Sequence, residues 1–181
     1  MKEGKMKKDW HGIIKILEIQ HLRNSKVIWE EKNINNILHS EGENFFLKCC
    51  FVNDGSYPPG NYYFGLDNRS SVTAGDLIED LTEEPSLSGY SRVAVDSTSG
   101  FTIEKVNQVY RAAGSIITFS AIGGSWGPVR NLFLTTSISS TSDNLASSIL
   151  LASAQLSSSL TLTDGDSVNM RMALSLQDTN G

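Results

Sequence analysis

Residues 168–176 place an apolar side chain at every second position: Val168, Met170, Met172, Leu174 and Leu176, separated by Asn169, Arg171, Ala173 and Ser175. Alternation at period two sustained over five apolar positions fits a strand with one buried face and does not fit a helix. Just upstream, Leu160 and Leu162 alternate with Thr161 and Thr163, and Asp164-Gly165 separates the two runs. Glycine tolerates the positive φ of a tight reversal, so residues 160–176 are expected to form a β-hairpin.

The same pattern recurs along the chain. Residues 115–122 read as a strand with Ile117, Phe119 and Ala121 on one face, and residues 129–136 as another with Leu132 and Leu134 on one face and Phe133 on the other. Residues 62–66 follow Pro58-Pro59-Gly60 and read as a buried aromatic strand, and residues 89–95 and 100–103 as short strands around a Ser/Thr turn. Residues 145–156 fit a strand or a short helix. Residues 13–19 and 27–31 read as a hairpin joined at Arg23-Asn24-Ser25. Two helices are expected. Ser40-Glu41-Gly42-Glu43 fits a capping box ahead of Phe45, Phe46, Cys49 and Cys50 at helical spacing. Residues 76–84 fit a turn or two, stopped by Pro85. Many short strands with frequent turn signals predict a mainly β chain, an antiparallel β-sandwich of jelly-roll or immunoglobulin-like type with one or two short helices. With 181 residues there is room for one such domain. The expected division is a basic arm and hairpin over 1–38 and a sandwich over 39–181.

Charge is unevenly placed. Nine Lys/Arg against seven Asp/Glu in residues 1–50 leave +2, and six against thirteen in residues 51–181 leave −7, which together give the net −5. Lys2, Lys5, Lys7 and Lys8 face only Glu3 at the start. Residues 112–163 hold one cation, Arg130, and one anion, Asp143, among dense Ser and Thr. Only 19% of the chain is charged, below the usual ~25%. A hydroxyl-rich, uncharged strand system is expected to pack its faces against something, and neighbouring subunits are the favoured cover. The lysines at the start are expected to fray in solvent. They do not make a nucleic-acid surface in an acidic chain, and no specific nucleic-acid partner is expected. No apolar run approaches the ~18 residues of a membrane helix. Lys15 and Glu18 interrupt the only apolar run near the start, so no secretory leader is expected and synthesis in a cytosol is.

Searches for reactive chemistry return structural explanations. His11, His21 and His39 lie outside metal-ligand spacing and read as satisfied or surface histidines. Cys49 and Cys50 are neighbours, a poor disulfide geometry, and read as two buried thiols. Gly123-Gly124-Ser125-Trp126-Gly127 lacks the Lys and Ser/Thr of a phosphate cradle and reads as a loop. Asp164 and Asp166 are explained by their turn. Asp76, Glu79, Asp80, Glu83 and Glu84 are explained by helix initiation and a solvated face. Tyr57, Tyr62, Tyr63 and Phe64, with the scattered Trp10, Trp29 and Trp126, could stack a sugar; core packing is the plainer reading. Tyr62, Tyr63, Trp126, Phe133 and residues 160–176 are the core candidates. No catalytic, cofactor-binding or metal-binding residue is expected.

The succession of motifs carries a resemblance. Tyr62-Tyr63-Phe64-Gly65-Leu66-Asp67-Asn68-Arg69 precedes an acidic segment, then come Glu84-Pro85, Gly89-Tyr90-Ser91-Arg92, the Phe101 strand, Phe119-Ser120-Ala121, Gly127-Pro128-Val129, Asn131-Leu132-Phe133-Leu134 and the 160–176 run. Over residues 36–177 this order resembles small structural proteins of tailed bacteriophages. The resemblance implies a non-enzymatic virion protein made in the host cytoplasm. A capsid decoration (cement) protein, a homo-oligomer and possibly a trimer bound to the major capsid protein, fits best. A tail, baseplate or fibre-associated protein, receptor- or carbohydrate-binding, is the alternative. No cofactor, metal or membrane is implied. Residues 1–35 and 112–163 are the expected contact surfaces.

Overall fold

The computed structural model describes residues 10–52, 58–86, 89–138 and 148–178. In chain order the elements are β1 (Trp10–Arg23), β2 (Lys26–Asn35), β3 (Ile37–Leu38), α1 (Ser40–Phe51), β4 (Asn61–Asp67), a 3-10 turn (Ile78–Asp80), β5 (Val93–Asp96), β6 (Phe101–Val106), β7 (Val109–Gly114), β8 (Ile117–Ser120), β9 (Trp126–Thr135), β10 (Leu150–Leu162) and β11 (Ser167–Asp178). The chain is mainly β, as its alternation predicts. One antiparallel sheet has the order β2-β1-β11-β7-β6, with β8 also paired to β11; the other has the order β3-β10-β9-β4-β5.

The two sheets share a core to which most strands contribute residues from one face. Val168, Met170 and Met172 of β11 are buried, as are Ile16 and Ile19 of β1 and Ile117 and Phe119 of β8. From the second sheet come Phe64, Leu66, Leu132, Leu134, Leu160 and Leu162. Trp126 is 2% exposed and Phe133 2%, in agreement with their assignment to the core, whereas Tyr62 is only half-buried at its margin and Tyr63 is half-buried. Phe133, on the opposite face of β9 from Leu132 and Leu134, packs with Ile78, Leu81 and Leu150 in a separate cluster outside the second sheet.

Two expected local reversals are crossings between sheets. β10 and β11 do not pair: β10 lies in one sheet and β11 in the other, so residues 160–176 form an arch and not a hairpin. Leu160 and Leu162 join Val168 and Met170 in the shared core. Period two marks which face of a strand is buried and is silent on which strand lies beside it. The Ser/Thr turn between β5 and β6 is a second crossing. There Asp96 Oδ1 accepts from the amides and hydroxyls of Thr98 and Ser99 at 2.6–3.1 Å. These bonds, the Thr98 hydroxyl foremost, hold the Asp96 carboxyl at about 2.

The first hairpin forms as expected, with Asn24 and Ser25 both at positive φ in a two-residue turn. It is built into the sheet and not appended to it. β1 pairs with β11 from Trp10↔Asp178 to Leu22↔Ser167, and Ile16, Ile19 and Ile34 enter the core. Cutting the chain at residue 38 would therefore remove two strands from the six-stranded sheet.

The helix over 40–51 forms, but without the capping box. Its N-cap is His39, with no side-chain cap bond. The Ser40 hydroxyl instead reaches Ala74 O at 3.4 Å, and Glu41 Oε2 accepts the amide of Leu150 at 3.0 Å. Both side chains dock the helix onto neighbours. Gly42 allows the same approach: a Cβ there would collide with the Leu151 carbonyl oxygen on β10. The second expected helix shrinks to Ile78–Asp80, where the Asp80 carboxylate accepts the Leu77 amide at 2.8 Å. Of the ambiguous 145–156 stretch, 145–147 lie outside the described residues, and from Leu150 the chain is strand.

Much of the charge shortage over 112–163 is accounted for within the chain. Leu132, Phe133, Leu134 and Thr135 of β9 are all buried, as are residues 150–154 of β10, so both faces of these strands are covered. The cover on the outer side is the segment carrying Ile78, Leu81 and Arg92, while Phe45 of α1 joins the shared core. Ser157, Ser158 and Ser159 remain exposed. Cys49 is half-buried and Cys50 exposed, and neither is in a disulfide, which corrects the expectation of two buried thiols. α1 is amphipathic, and Cys50 falls on its outward side with Leu47 and Phe51.

Candidate functional site

Asp76, Glu84, Asp164 and Asp166, first read as turn or surface groups, are partnered by other segments, whereas Glu79 and Glu83 are exposed, as a solvated face has them. Asp166, 2% exposed, sits at the arch between β10 and β11. Its Oδ1 accepts Arg23 Nε at 2.9 Å, and its Oδ2 bonds Arg23 Nη2 at 2.8 Å, His21 Nε2 at 2.9 Å, the Thr163 amide at 2.9 Å and the Thr163 hydroxyl at 3.0 Å. The Arg23 guanidinium holds this carboxyl far below the usual carboxylate range. Asp164 Oδ1 accepts the Gly123 amide at 2.8 Å. The pair Asp164/Asp166 thus fastens an arch.

The acidic segment over 76–84 disperses its carboxylates in the same way. Asp76 meets Arg69 Nη1 at 3.0 Å and the Thr73 hydroxyl, and Arg69 Nε bonds the buried Asp67 at 2.9 Å. Asn131 Nδ2 donates to Asp67 and to Arg69 O. Burial pushes the Asp67 carboxyl up, against the pull of Arg69. Glu84 binds Arg92 through Nη2 at 2.6 Å and Nε at 3.1 Å, and accepts the Tyr90 hydroxyl at 2.9 Å. Burial, with Glu84 alongside, pushes the Tyr90 hydroxyl up. A groove of about 590 Å³ opens beside this pair, lined by Ile78, Leu81, Glu84, Tyr90, Arg92 and Ile138. Glu84 and Arg92 face one another there, Glu79 also lines the groove, and Arg92 donates to Ser137 O and lies 5.0 Å from the Phe133 ring centroid. Glu84 and Arg92 clamp the outer layer onto β9. Among the described residues no three His, Cys, Asp or Glu side chains gather as a metal set.

His39 Nε2 lies 2.9 Å from Ser153 Oγ, the spacing of a base and a nucleophile. Both are buried, His39 at 0% and Ser153 at 3% exposure, so substrate has no approach. Burial pulls the imidazole pKa down, with Asp76 opposing and Arg69 adding to the effect. The folded state therefore resists a proton that the unfolded chain accepts near its ordinary ~6.5. Stability is expected to fall as pH drops below that value, by at most about 1.4 kcal/mol per pH unit. Urea unfolding at about pH 7.5 and about pH 5.5 checks this. His39→Gln should flatten the dependence, and an equal gap between the two proteins at both pH values would show that His39 takes its proton while folded. Of the other histidines, His21 bonds Asp166, and the side chain of His11 lies outside the described residues.

The aromatic residues weighed as a sugar platform turn largely inward. Tyr62 meets Phe101 edge-on at 5.8 Å, Phe64 is 3% exposed, Trp126 meets Tyr90 edge-on at 5.4 Å, and Trp29 packs against the core. Tyr57 and the side chain of Trp10 lie outside the described residues, as do the basic residues 1–9.

Large apolar side chains are exposed at several positions, among them Ile28, Ile116, Ile122 and Ile138, and they occur together on two elements. On the β6–β7 hairpin Ile103 is 70% and Tyr110 64% exposed; on α1 Leu47 is 57% and Phe51 82% exposed. Neither set was singled out by sequence reasoning. The signal available was Leu47 and Phe51 falling off the Phe45/Phe46/Cys49 stripe of α1. Among the described residues no helix is long and apolar enough to cross a membrane.

No protein family, curated protein or solved structure matches this chain.

Proposed function

We propose that this chain is a non-enzymatic structural component of a tailed-bacteriophage virion, a capsid decoration protein that reinforces the head by binding the major capsid protein. The observation that carries the reading is that exposed large apolar side chains occur together on two separate elements of one β-sandwich, Ile103 with Tyr110 and Leu47 with Phe51. A protein that bridges copies of itself and a second protein needs two such faces, and grouped exposed apolar side chains mark protein contacts where single ones do not. The polar residues support the same reading, because the described ion pairs around Asp166, Asp67 and Glu84 bond the fold to itself. Repetition on a lattice then turns weak single contacts into firm attachment.

Cryo-EM of purified virions from the phage that encodes the chain tests this. Density for the sandwich on the head, in copies numbering on the order of hundreds as lattice avidity requires, is the expected result. Density confined to the tail, in a dozen or so copies, would move the assignment to a tail, baseplate or fibre component. Absence from the particle would overturn both.

A further inference from the structure

We infer that β6 is a self-pairing edge, through which two copies of this chain join their six-stranded sheets antiparallel about a two-fold axis at Ile103. The two sheets have five outer strands, because β8 pairs only with β11, and four of the five are guarded. β3 has two residues, and β5 and β8 have four each. β2 is long, but its register slips opposite His21/Leu22, Asn33 has positive φ, and Glu30 and Lys32 stand on it. Bulges, short lengths and charges are the usual protections of a strand edge.

β6 has none of the first two. Its pairing with β7 runs without a slip from Phe101↔Gly114 to Val106↔Val109, and among the described residues no strand covers its other side. The β6 side chains are also self-complementary. With Ile103 on the axis, antiparallel pairing sets Ile103 opposite Ile103 of the second copy, Phe101 opposite its Lys105, and Thr102 opposite its Glu104. Opposed residues share a face, so each of these pairs meets. Lys105 already lies 5.4 Å from the Tyr110 ring centroid, and the second Phe101 would give its ammonium another aromatic neighbour. Glu104, bonded to Arg111 at 2.6 Å, gains a threonine hydroxyl. No like charges stand opposite one another. A shift of the axis to Glu104 would oppose two carboxylates and one to Lys105 two ammonium groups, while a shift to Thr102 would take Lys105 away from the second Phe101 and Glu104 away from the second Thr102.

Ile103 and Tyr110 lie on the core-facing side of their sheet yet remain 70% and 64% exposed, because the six-stranded sheet extends there beyond its cover. A second copy would cover the flank of Ile103 on the edge strand; Tyr110 lies one strand further in. Six residues of edge make a small interface, so the free dimer is expected to be weak, with Kd on the order of micromolar or higher.

This pairing does not rest on the virion assignment; a failure here would leave the location on the particle untouched. Sedimentation velocity across a concentration series, with the full chain, tests it. The wild type is expected to shift from monomer to dimer as concentration rises. Ile103→Lys should weaken association by about tenfold or more, since it opposes two ammonium groups on the axis. Its circular dichroism and thermal midpoint should match the wild type, because residue 103 is exposed in the monomer. In a Cys50→Ser background, Ile103→Cys should form a disulfide-linked dimer on mild oxidation and Thr102→Cys should not. A wild type monomeric throughout, an Ile103→Lys variant that associates like the wild type, or equal cross-linking at 102 and 103 would each overturn the proposal.

Discussion

Replacing Gly65 by alanine is expected to destabilise the protein by about 3 kcal/mol, at the upper end of the overpacking range. For a chain of this size that lowers the thermal midpoint by roughly 6–12 °C. Gly65 stands directly opposite Phe133 in the β4–β9 pair. The Phe133 ring lies across it, and a Cβ at residue 65 would collide with Cζ, Cε1 and Cε2 of that ring. An aromatic ring laid over a strand glycine restores the cover that the missing side chain leaves out. The ring has no room to retreat. Ile78, Leu81 and Leu150 surround it, and the Arg92 guanidinium stands over its face. Moving Phe133 therefore loosens the whole outer layer, including the Glu84–Arg92 clamp. A double-mutant cycle in urea isolates the cause. Phe133→Leu alone should be destabilising, but combined with Gly65→Ala it should return about 1 kcal/mol or more as coupling. Strict additivity of the two substitutions would show that the ring and the glycine are not in conflict.

Strand-level features were legible where a residue's own neighbours in sequence decide the outcome. Alternation identified the buried faces of β8, β9 and β11, because one face of each meets the core at period two. The Asn24-Ser25 turn was legible because a two-residue reversal depends on residues inside it. Strand partners were not legible. Asp164-Gly165 reads the same whether the chain folds back beside itself or crosses to the opposing sheet. Here the Asp166 side chain, held by Thr163, Arg23 and His21, accompanies the crossing, and two of those three partners lie more than a hundred residues away. The Ser40/Glu43 pattern misled for a related reason: Glu41 and Ser40 find longer-range partners at Leu150 and Ala74. The shortage of charge over 112–163 did report burial of both faces. It could not say that the cover belongs to the same chain, since a loop of this chain and a neighbouring subunit leave the same mark on composition.

The exposed apolar residues of the hairpin were hidden by the same logic. Ile103 alternates with Thr102 and Glu104 as a half-buried strand should, and its face does turn toward the core side. Only the extent of the opposite sheet, a property of the whole fold, leaves it uncovered. The Asp67–Arg69–Asp76 and Glu84–Arg92 groups share one indirect signal. In a chain this poor in charge, a charged residue retained within or beside an apolar strand needs a partner, and in both groups it lies within ten residues in sequence.

Asp166→Asn is expected to cost on the order of 2–4 kcal/mol near neutral pH, the range for breaking a buried, charge-assisted bond set. Five donated hydrogen bonds converge on this one carboxylate. The isosteric amide keeps one acceptor oxygen and turns an NH2 toward donors from Arg23, His21 or Thr163. The backbone makes the loss cooperative, because Ala121 N donates to Asp166 O and Gly165 N to Ala121 O, which ties the arch to the end of β8. Arg23 is the control. Its side chain is 46% exposed and returns to water when freed, so Arg23→Ala should be clearly the milder change. The pH dependence has a definite sign. Asp166 has a folded pKa depressed below the ~3.9 of the unfolded chain, so its contribution is complete above that value and is lost as pH falls toward the folded pKa. The wild type should therefore lose stability below about pH 4 more steeply than Asp166→Asn, and the two unfolding curves should converge as acid is added. A gap that stays constant from neutral pH down to about pH 3 would mean that the side chain acts through shape alone and that its charge does not hold the arch.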